Sequence, residues 1–283
     1  MMQADLQGQA TVDRFRANAS IGYAQKGALP AAITRGQSNN LVSRVHWLGV
    51  DLGEDKPLTV RAGRMNLPFG LRSIEHTMWI RSTTRTDINA AQQEGVSLAW
   101  NTAGWRGEVM AIAGNFQINP DEFRERGYSG YVEWDPTTKV AVGASSLITH
   151  ANNDPRLQTA LFRHAHGLFG RFSPVKPLVL MAEGDVLLFS QPPAGKNGAI
   201  NALGYASALQ ADLEPVQGLH VMATGEIMNQ AADSGVSFGG WATIAWFFAP
   251  HADLRADAIR QSLPAGPSRM GITSLIAQLH VFL

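Results

Sequence analysis

The chain has no cysteine, few charges and no long hydrophobic run. Without cysteine there is no disulfide scaffold, thiolate zinc site, iron–sulfur cluster or covalently held c-type haem. Lys plus Arg number 23 and Asp plus Glu also number 23. The net charge is therefore zero, which argues against nucleic acid as a partner. Charged residues make up 16% of the 283 residues, well under the roughly 25% usual in soluble proteins. No apolar stretch reaches the roughly 18–20 residues of a spanning helix. The best candidate, residues 239–249, is too short and ends at Pro250. Met1-Met2-Gln3-Ala4-Asp5 has neither the basic nor the apolar region of a signal peptide,. An exported chain is then expected to be in mature or truncated form.

What is present is alternation. Val96, Leu98 and Trp100 share one parity, with Ser97, Ala99 and Asn101 on the other. Leu180, Ala182, Val186 and Leu188 alternate with Glu183 and Asp185, and Val221, Ala223 and Ile227 with His220, Thr224 and Glu226. Leu254, Ala256 and Ala258 alternate with Asp253, Arg255 and Asp257. From Val236 to Phe248 the apolar parity is broken only by Trp241 and Phe247. Period two of this kind marks strands with one apolar and one polar face. Residues 42–52 and 160–173 mix parities, so bulges are expected there.

The connections alternate as well. Short ones at 54–57, 103–104, 136–138, 174–177, 215–218 and 250–251 interleave with longer ones at 27–39, 68–93, 117–126, 150–157, 192–198, 231–235 and 263–270. A strand meander with tight turns at one end and long loops at the other is the pattern of an outer-membrane barrel. Trp100, Trp105, Trp134, Phe172, Trp246 and Phe248 lie beside the short turns, as an interfacial aromatic girdle would,. The expected fold is all-β: one transmembrane antiparallel up-and-down β-barrel domain over 1–283. Thirteen strands after Asn40 and one before it make about 14. An N-terminal hairpin near 15–18 gives 15, and a truncated N-terminus restores 16. A barrel of this width needs an aqueous or plugged lumen.

Two resemblances sharpen this reading. The final strand alternates Leu275, Ala277, Leu279, Val281 and Leu283 up to the carboxylate. It resembles the C-terminal signal by which bacterial outer-membrane proteins engage the barrel-assembly machinery, with Leu283 in the slot usually held by Phe and Phe282 one place early. Residues 58–72 read LTVRAGRMNLPFGLR. The Gly63-Arg64 pair followed by Leu67-Pro68-Phe69-Gly70 resembles a segment of the phosphate-selective (O and P) porins. The resemblance implies a passive channel in a Gram-negative outer membrane, with anion selectivity carried by basic channel side chains.

Residues 68–93 form the longest loop, long enough to enter the lumen, and loops of this length are often functional. Arg72, Glu75, His76, Arg81, Arg85 and Asp87 are its candidate constriction residues, with basic groups facing acids across the pore,. The alternative is a solvated loop whose ion pairs hold its own shape. Arg61, Arg106, Glu108, Glu133, Lys139, Glu183, Asp185, Asp212, Glu226, Asp253, Arg255 and Asp257 fall on polar parities and are expected to line the pore, or to pair within a packed polar interior. His164 and His166 share a strand face without a visible third ligand and read as an interface or lumen pair. Asn152-Asn153-Asp154 near Asp121-Glu122 fits no calcium-loop spacing. No metal and no cofactor are expected. A lipid hydrolase would need a Ser–His pair, from His76, His150 or His280 with Ser73, Ser146 or Ser274, and no catalytic motif marks one; an enzyme is not expected. The leading expectation is diffusion of small solutes or ions. The alternatives are a sleeve holding or exporting a periplasmic or surface protein in the lumen, then a lipid hydrolase, then a soluble all-β binding protein.

Overall fold

The computed structural model describes residues 3–24, 41–72, 79–88, 91–116, 120, 122–154, 157–192, 200–231 and 234–281. They form sixteen strand segments in one antiparallel sheet, each paired with its chain neighbour. The segments are β1 (Gln3–Val12), β2 (Phe15–Ala24), β3 (Leu41–Val42), β4 (His46–Leu52), β5 (Leu58–Asn66), β6 (Gln92–Thr102), β7 (Trp105–Gly114) and β8 (Glu125–Thr137). They continue with β9 (Val140–Ala151), β10 (Leu161–Val175), β11 (Leu178–Gln191), β12 (Ile200–Val216), β13 (Leu219–Asn229), β14 (Ser237–Ala249), β15 (Ala252–Ala265) and β16 (Ser268–Val281). The N-terminal stretch takes the hairpin form, β1 pairing with β2 across a turn at Asp13-Arg14. β3 and β4 follow one another along the same edge of β2. The Ser20 backbone N–H donates to the Val45 carbonyl at 2.7 Å, and its hydroxyl accepts from Val45 N–H at 2.9 Å, across the irregularity between them. Fifteen positions therefore run round the sheet from β1 to β16, so these two strands point the same way.

Four of the short hairpins share a device. Register shifts lie between Trp134 and Thr137, Phe172 and Val175, Leu213 and Val216, and Trp246 and Ala249. Three of these bulges hold a proline: Pro136, Pro174 and Pro215. A proline has no N–H to give the ladder, so a bulge at a strand end is where the sheet tolerates it. One expectation fails at the opposite end. Residues 263–270 are not a long loop. β15 runs through Pro264 to Ala265, and β16 begins at Ser268 after a two-residue turn at Gly266-Pro267.

Parity separates two surfaces. Leu48, Val96, Leu168, Leu209, Ile244, Leu275, Leu279 and Val281 face outward and are exposed, as a lipid-facing belt requires,. Trp105, Trp134, Phe172, Trp246 and Phe248 are exposed at its short-turn rim, and Trp105 stacks on Trp134 at 5.8 Å. Trp100 faces the same way with its ring over Gly107. A second aromatic ring, missed in the sequence, lies at the long-loop rim: Tyr23, Phe162, Tyr205 and Phe238. Phe162 and Phe172 are ten residues apart on β10, about 25 Å of height for a strand tilted about 40°. Of the C-terminal pattern, Leu275, Ala277, Leu279 and Val281 face outward, and Leu283 lies outside the described residues.

Gly63 shows why the Gly-Arg pair stands where it does. Its φ is +132°, and an added Cβ would collide with the His46 carbonyl oxygen across the ladder. Gly63→Val is expected to destabilise the barrel by at least the ~1–3 kcal/mol of a strained backbone position. Heat-shifted gel mobility should then show a smaller folded fraction; an unchanged folded band would contradict this.

Candidate functional site

Inside the sheet, the segment between β5 and β6 crosses toward the opposite wall. Leu67 and Phe69 are buried with Met65, Met110, Ile112, Leu147, Ala165 and Leu187. The Pro68 carbonyl accepts from the Ser129 hydroxyl of β8 at 2.9 Å. A short helix, α1 (Trp79–Thr84), packs near β11, β12 and β13. Its Ile80 lies among Ala206, Ala208, Met228, Trp241 and Ile259. Trp241 breaks the outward parity of β14 because it packs against this segment.

Polar contacts fix the crossing segment to the wall. Glu226 accepts from the N–H groups of Trp79 and Ile80 at 3.0 and 3.4 Å, satisfying donors that a helix start leaves open,. Glu183 pairs with Arg81, both almost fully buried, and also accepts from Leu71 N–H at 2.7 Å. Gly70 has a φ of +56°, and its missing side chain leaves the space that the Glu183 carboxylate fills. The Pro-Phe-Gly turn of the sequence motif thus admits a wall glutamate to the segment's backbone. Arg85 pairs with Asp154 at 2.5 Å. Arg163, from β10, donates to the Thr84 carbonyl and to Glu125 at 2.6 and 3.0 Å.

The Arg163–Glu125 pair escaped the sequence reading. Arg163 lies in the mixed-parity run beside His164, and Glu125 lies in a stretch read as loop although it opens β8. Its signal was parity: Arg163 shares a face with Ala165 and Phe169.

Below the crossing segment, toward the short turns, is a cavity of about 740 Å³. Arg72, Ile80 and Arg81 lie at its roof, and Arg106, Glu133, Arg171, Asp212, Asp253 and His280 line its sides. On the β5–β10 wall, Glu108 is shared by Arg61 and Arg72, the latter at 3.5 Å. Glu133 is shared by Arg106 and Arg171, both at 2.5 Å. Four guanidinium groups therefore meet two carboxylates. The wall beyond β11 is acidic: Asp212 is paired with His220 at 3.0 Å, Asp253 with His280 at 2.9 Å, and Asp257 with Arg255 at 2.8 Å. Phe247, the other parity exception, lines the same cavity.

The other candidate residues fall as follows. Arg72, Arg81, Arg85 and Asp87 belong to the crossing segment, and Glu75 and His76 lie outside the described residues. Of the lining candidates, Lys139 is not on the wall but exposed in the β8–β9 turn, because β8 continues through Thr137. Asp185 is buried beside Glu183, with neither carboxylate oxygen hydrogen-bonded. His164 and His166 face the belt rather than the lumen, 5.8 Å apart between ring centres. Among the described residues, no three His, Asp or Glu side chains are grouped to hold a metal ion. Ser146 bonds to His166 at 2.9 Å rather than to His150, and His280 pairs with Asp253. Ser73 lies outside the described residues.

This architecture, an up-and-down β-barrel with a lipid-facing belt between aromatic rings, is that of a bacterial outer-membrane β-barrel. No family model matches the chain, and no curated protein sequence matches it. Solved structures do. OmpT of Vibrio cholerae, in a loop L8 deletion form described as an outer membrane protein, aligns at TM-score 0.64 and 12% identity, over 98% of this chain and 90% of that one. Salmonella typhi OmpF in complex with daunomycin aligns at 0.62 and 11% identity, over 97% and 89%. An anion-selective porin from Comamonas acidovorans aligns at 0.61 and 13%, over 98% and 89%.

Proposed function

We propose that the protein is a porin-like channel for passive diffusion of small polar solutes or ions. The observation that carries this reading is the division of charge around the cavity. Arg106 and Arg171 on one wall share Glu133, with Arg72 at the roof above them, and Asp212 and Asp253 line the other wall. Opposed charges across a narrow water-filled passage set a transverse field that sorts solutes by charge and orientation. The guanidinium-rich side favours anions, in keeping with the sequence segment that resembles the phosphate-selective group. No chemistry on a bound cofactor enters this mechanism. Enclosure of the crossing segment by apolar side chains favours a second reading, a sleeve whose lumen is filled rather than open.

Single-channel conductance in planar bilayers decides between them. A steady ohmic conductance is expected, with an anion-favouring reversal potential in a salt gradient. Arg106→Gln with Arg171→Gln should lower the anion-to-cation permeability ratio by about tenfold, the low end of the range over which wall charges raise local counter-ion concentration. A folded barrel that conducts nothing would overturn the channel reading and leave the sleeve.

A further inference from the structure

The belt carries a polar region on β8, β9 and β10 near the long-loop rim. The pairing register sets nine outward positions in three rows. Arg126, His150 and Phe162 form the upper row, Tyr128, Ile148 and His164 the middle one, and Gly130, Ser146 and His166 the lower one. Six of the nine are polar or basic, and none is a carboxylate. Ser146 Oγ is 2.9 Å from both Tyr128 Oη and His166 Nδ1, which joins the three strands by hydroxyl and imidazole groups. The Phe162 and His164 rings meet in a T-shaped contact, 4.6 Å between centres. Arg126 donates to Asn152 at 3.3 Å. Above the upper row, a cavity of about 340 Å³ is lined by Pro120, Glu122, Arg124, Arg126 and Asn152.

A belt is expected to be apolar, because polar groups facing hydrocarbon are costly unless something satisfies them. These groups are mostly hydrogen-bond donors or groups able to carry positive charge. They begin level with Phe162, in the ring that marks the headgroup boundary. Their natural complement there is an acceptor-rich anion on an apolar anchor. We propose that this face binds the phosphate-bearing headgroup of an outer-leaflet lipid. Arg126 and Arg124 would hold the phosphate at the rim. His150, His164 and the Tyr128–Ser146–His166 chain would reach its lower oxygens and the linkage below. Glu122 is the one acid among the residues lining this cavity, and it sets the outer limit of the site. The inference does not rest on the lumen conducting.

The test is native mass spectrometry of the full chain released from detergent with phosphatidic acid or phosphatidylcholine of matched acyl chains. The folded barrel is expected to keep one phosphatidic acid, with about fivefold preference over phosphatidylcholine for each basic side chain engaged. Arg126→Gln/His164→Gln/His166→Gln should lower that preference by about fivefold for each basic side chain removed, leaving the share of Arg124 and His150. Arg126→Gln alone serves as the milder variant if the triple one folds poorly, and heat-shifted mobility checks folding. Equal retention of both lipids by the wild-type chain would overturn the proposal. So would an unaltered preference in a folded variant, or an oligomer that buries this face and dissociates in the triple variant.

Discussion

Glu183→Ala is expected to release the crossing segment from the wall and raise single-channel conductance with added current noise. Glu183 pairs with Arg81 where both are almost completely buried, and it accepts the Leu71 N–H. Removing it leaves a buried guanidinium with its contacts to the Phe69 carbonyl and Thr86 hydroxyl as its remaining hydrogen bonds. Breaking a buried pair from one side costs about 3–5 kcal/mol, since the surviving charge stays desolvated. Glu226 on the helix start, Arg163 on the Thr84 carbonyl, Asp154 on Arg85 and Ser129 on the Pro68 carbonyl still hold the ends of the segment, while its middle over the cavity is freed. Glu183→Gln keeps one acceptor for Leu71 and should show a smaller change. Bilayer recordings of both variants at equal salt are the check. Conductance equal to wild type in a folded Glu183→Ala barrel would mean that the segment does not limit the passage.

The second large effect tests the belt. Leu209 on β12 is 61% exposed and faces outward, while the next residue, Gln210, is buried inward at the cavity. Leu209→Arg should destabilise the barrel by about 2–4 kcal/mol, the cost of an arginine facing hydrocarbon near the bilayer middle. Gln210→Arg adds the same charge one residue along and turns it to the lumen, where Asp212 stands close on the same face. It should cost much less. Denaturant titration of both variants in lipid vesicles compares them directly. Equal losses would mean that the inward and outward faces are misassigned.

Much of this fold was legible because a strand in a barrel has only two surroundings. Alternation at residues 96–101, 180–188 and 254–258 marks the belt without knowledge of any partner strand. The prolines at 136, 174 and 215 mark turns because a strand interior rejects them. Errors arose where local signals lost to pairing. Gly266-Pro267 with Pro264 reads as loop, yet fourteen paired positions between β15 and β16 carry the ladder through it. The long-loop aromatic ring was missed because Tyr23, Phe162, Tyr205 and Phe238 belong to strands far apart in the chain and share a level only once the register is known.

The candidate site divides in the same way. Parity placed Arg61, Arg106, Glu108, Glu133, Glu183 and Asp253 on inward faces, and loop length singled out the 68–93 segment. Which acid meets which base did not follow, because partners such as Arg81 and Glu183 are 102 residues apart. The sequence by itself determined a two-faced meander with tight turns at one end, since alternation and turn chemistry are local properties. Only the tertiary structure decided where the long segment crosses, how arginines and aspartates divide between the walls, and that His164 and His166 face the belt. Those outcomes depend on strand register, and one residue of slip would exchange every inward side chain for an outward one.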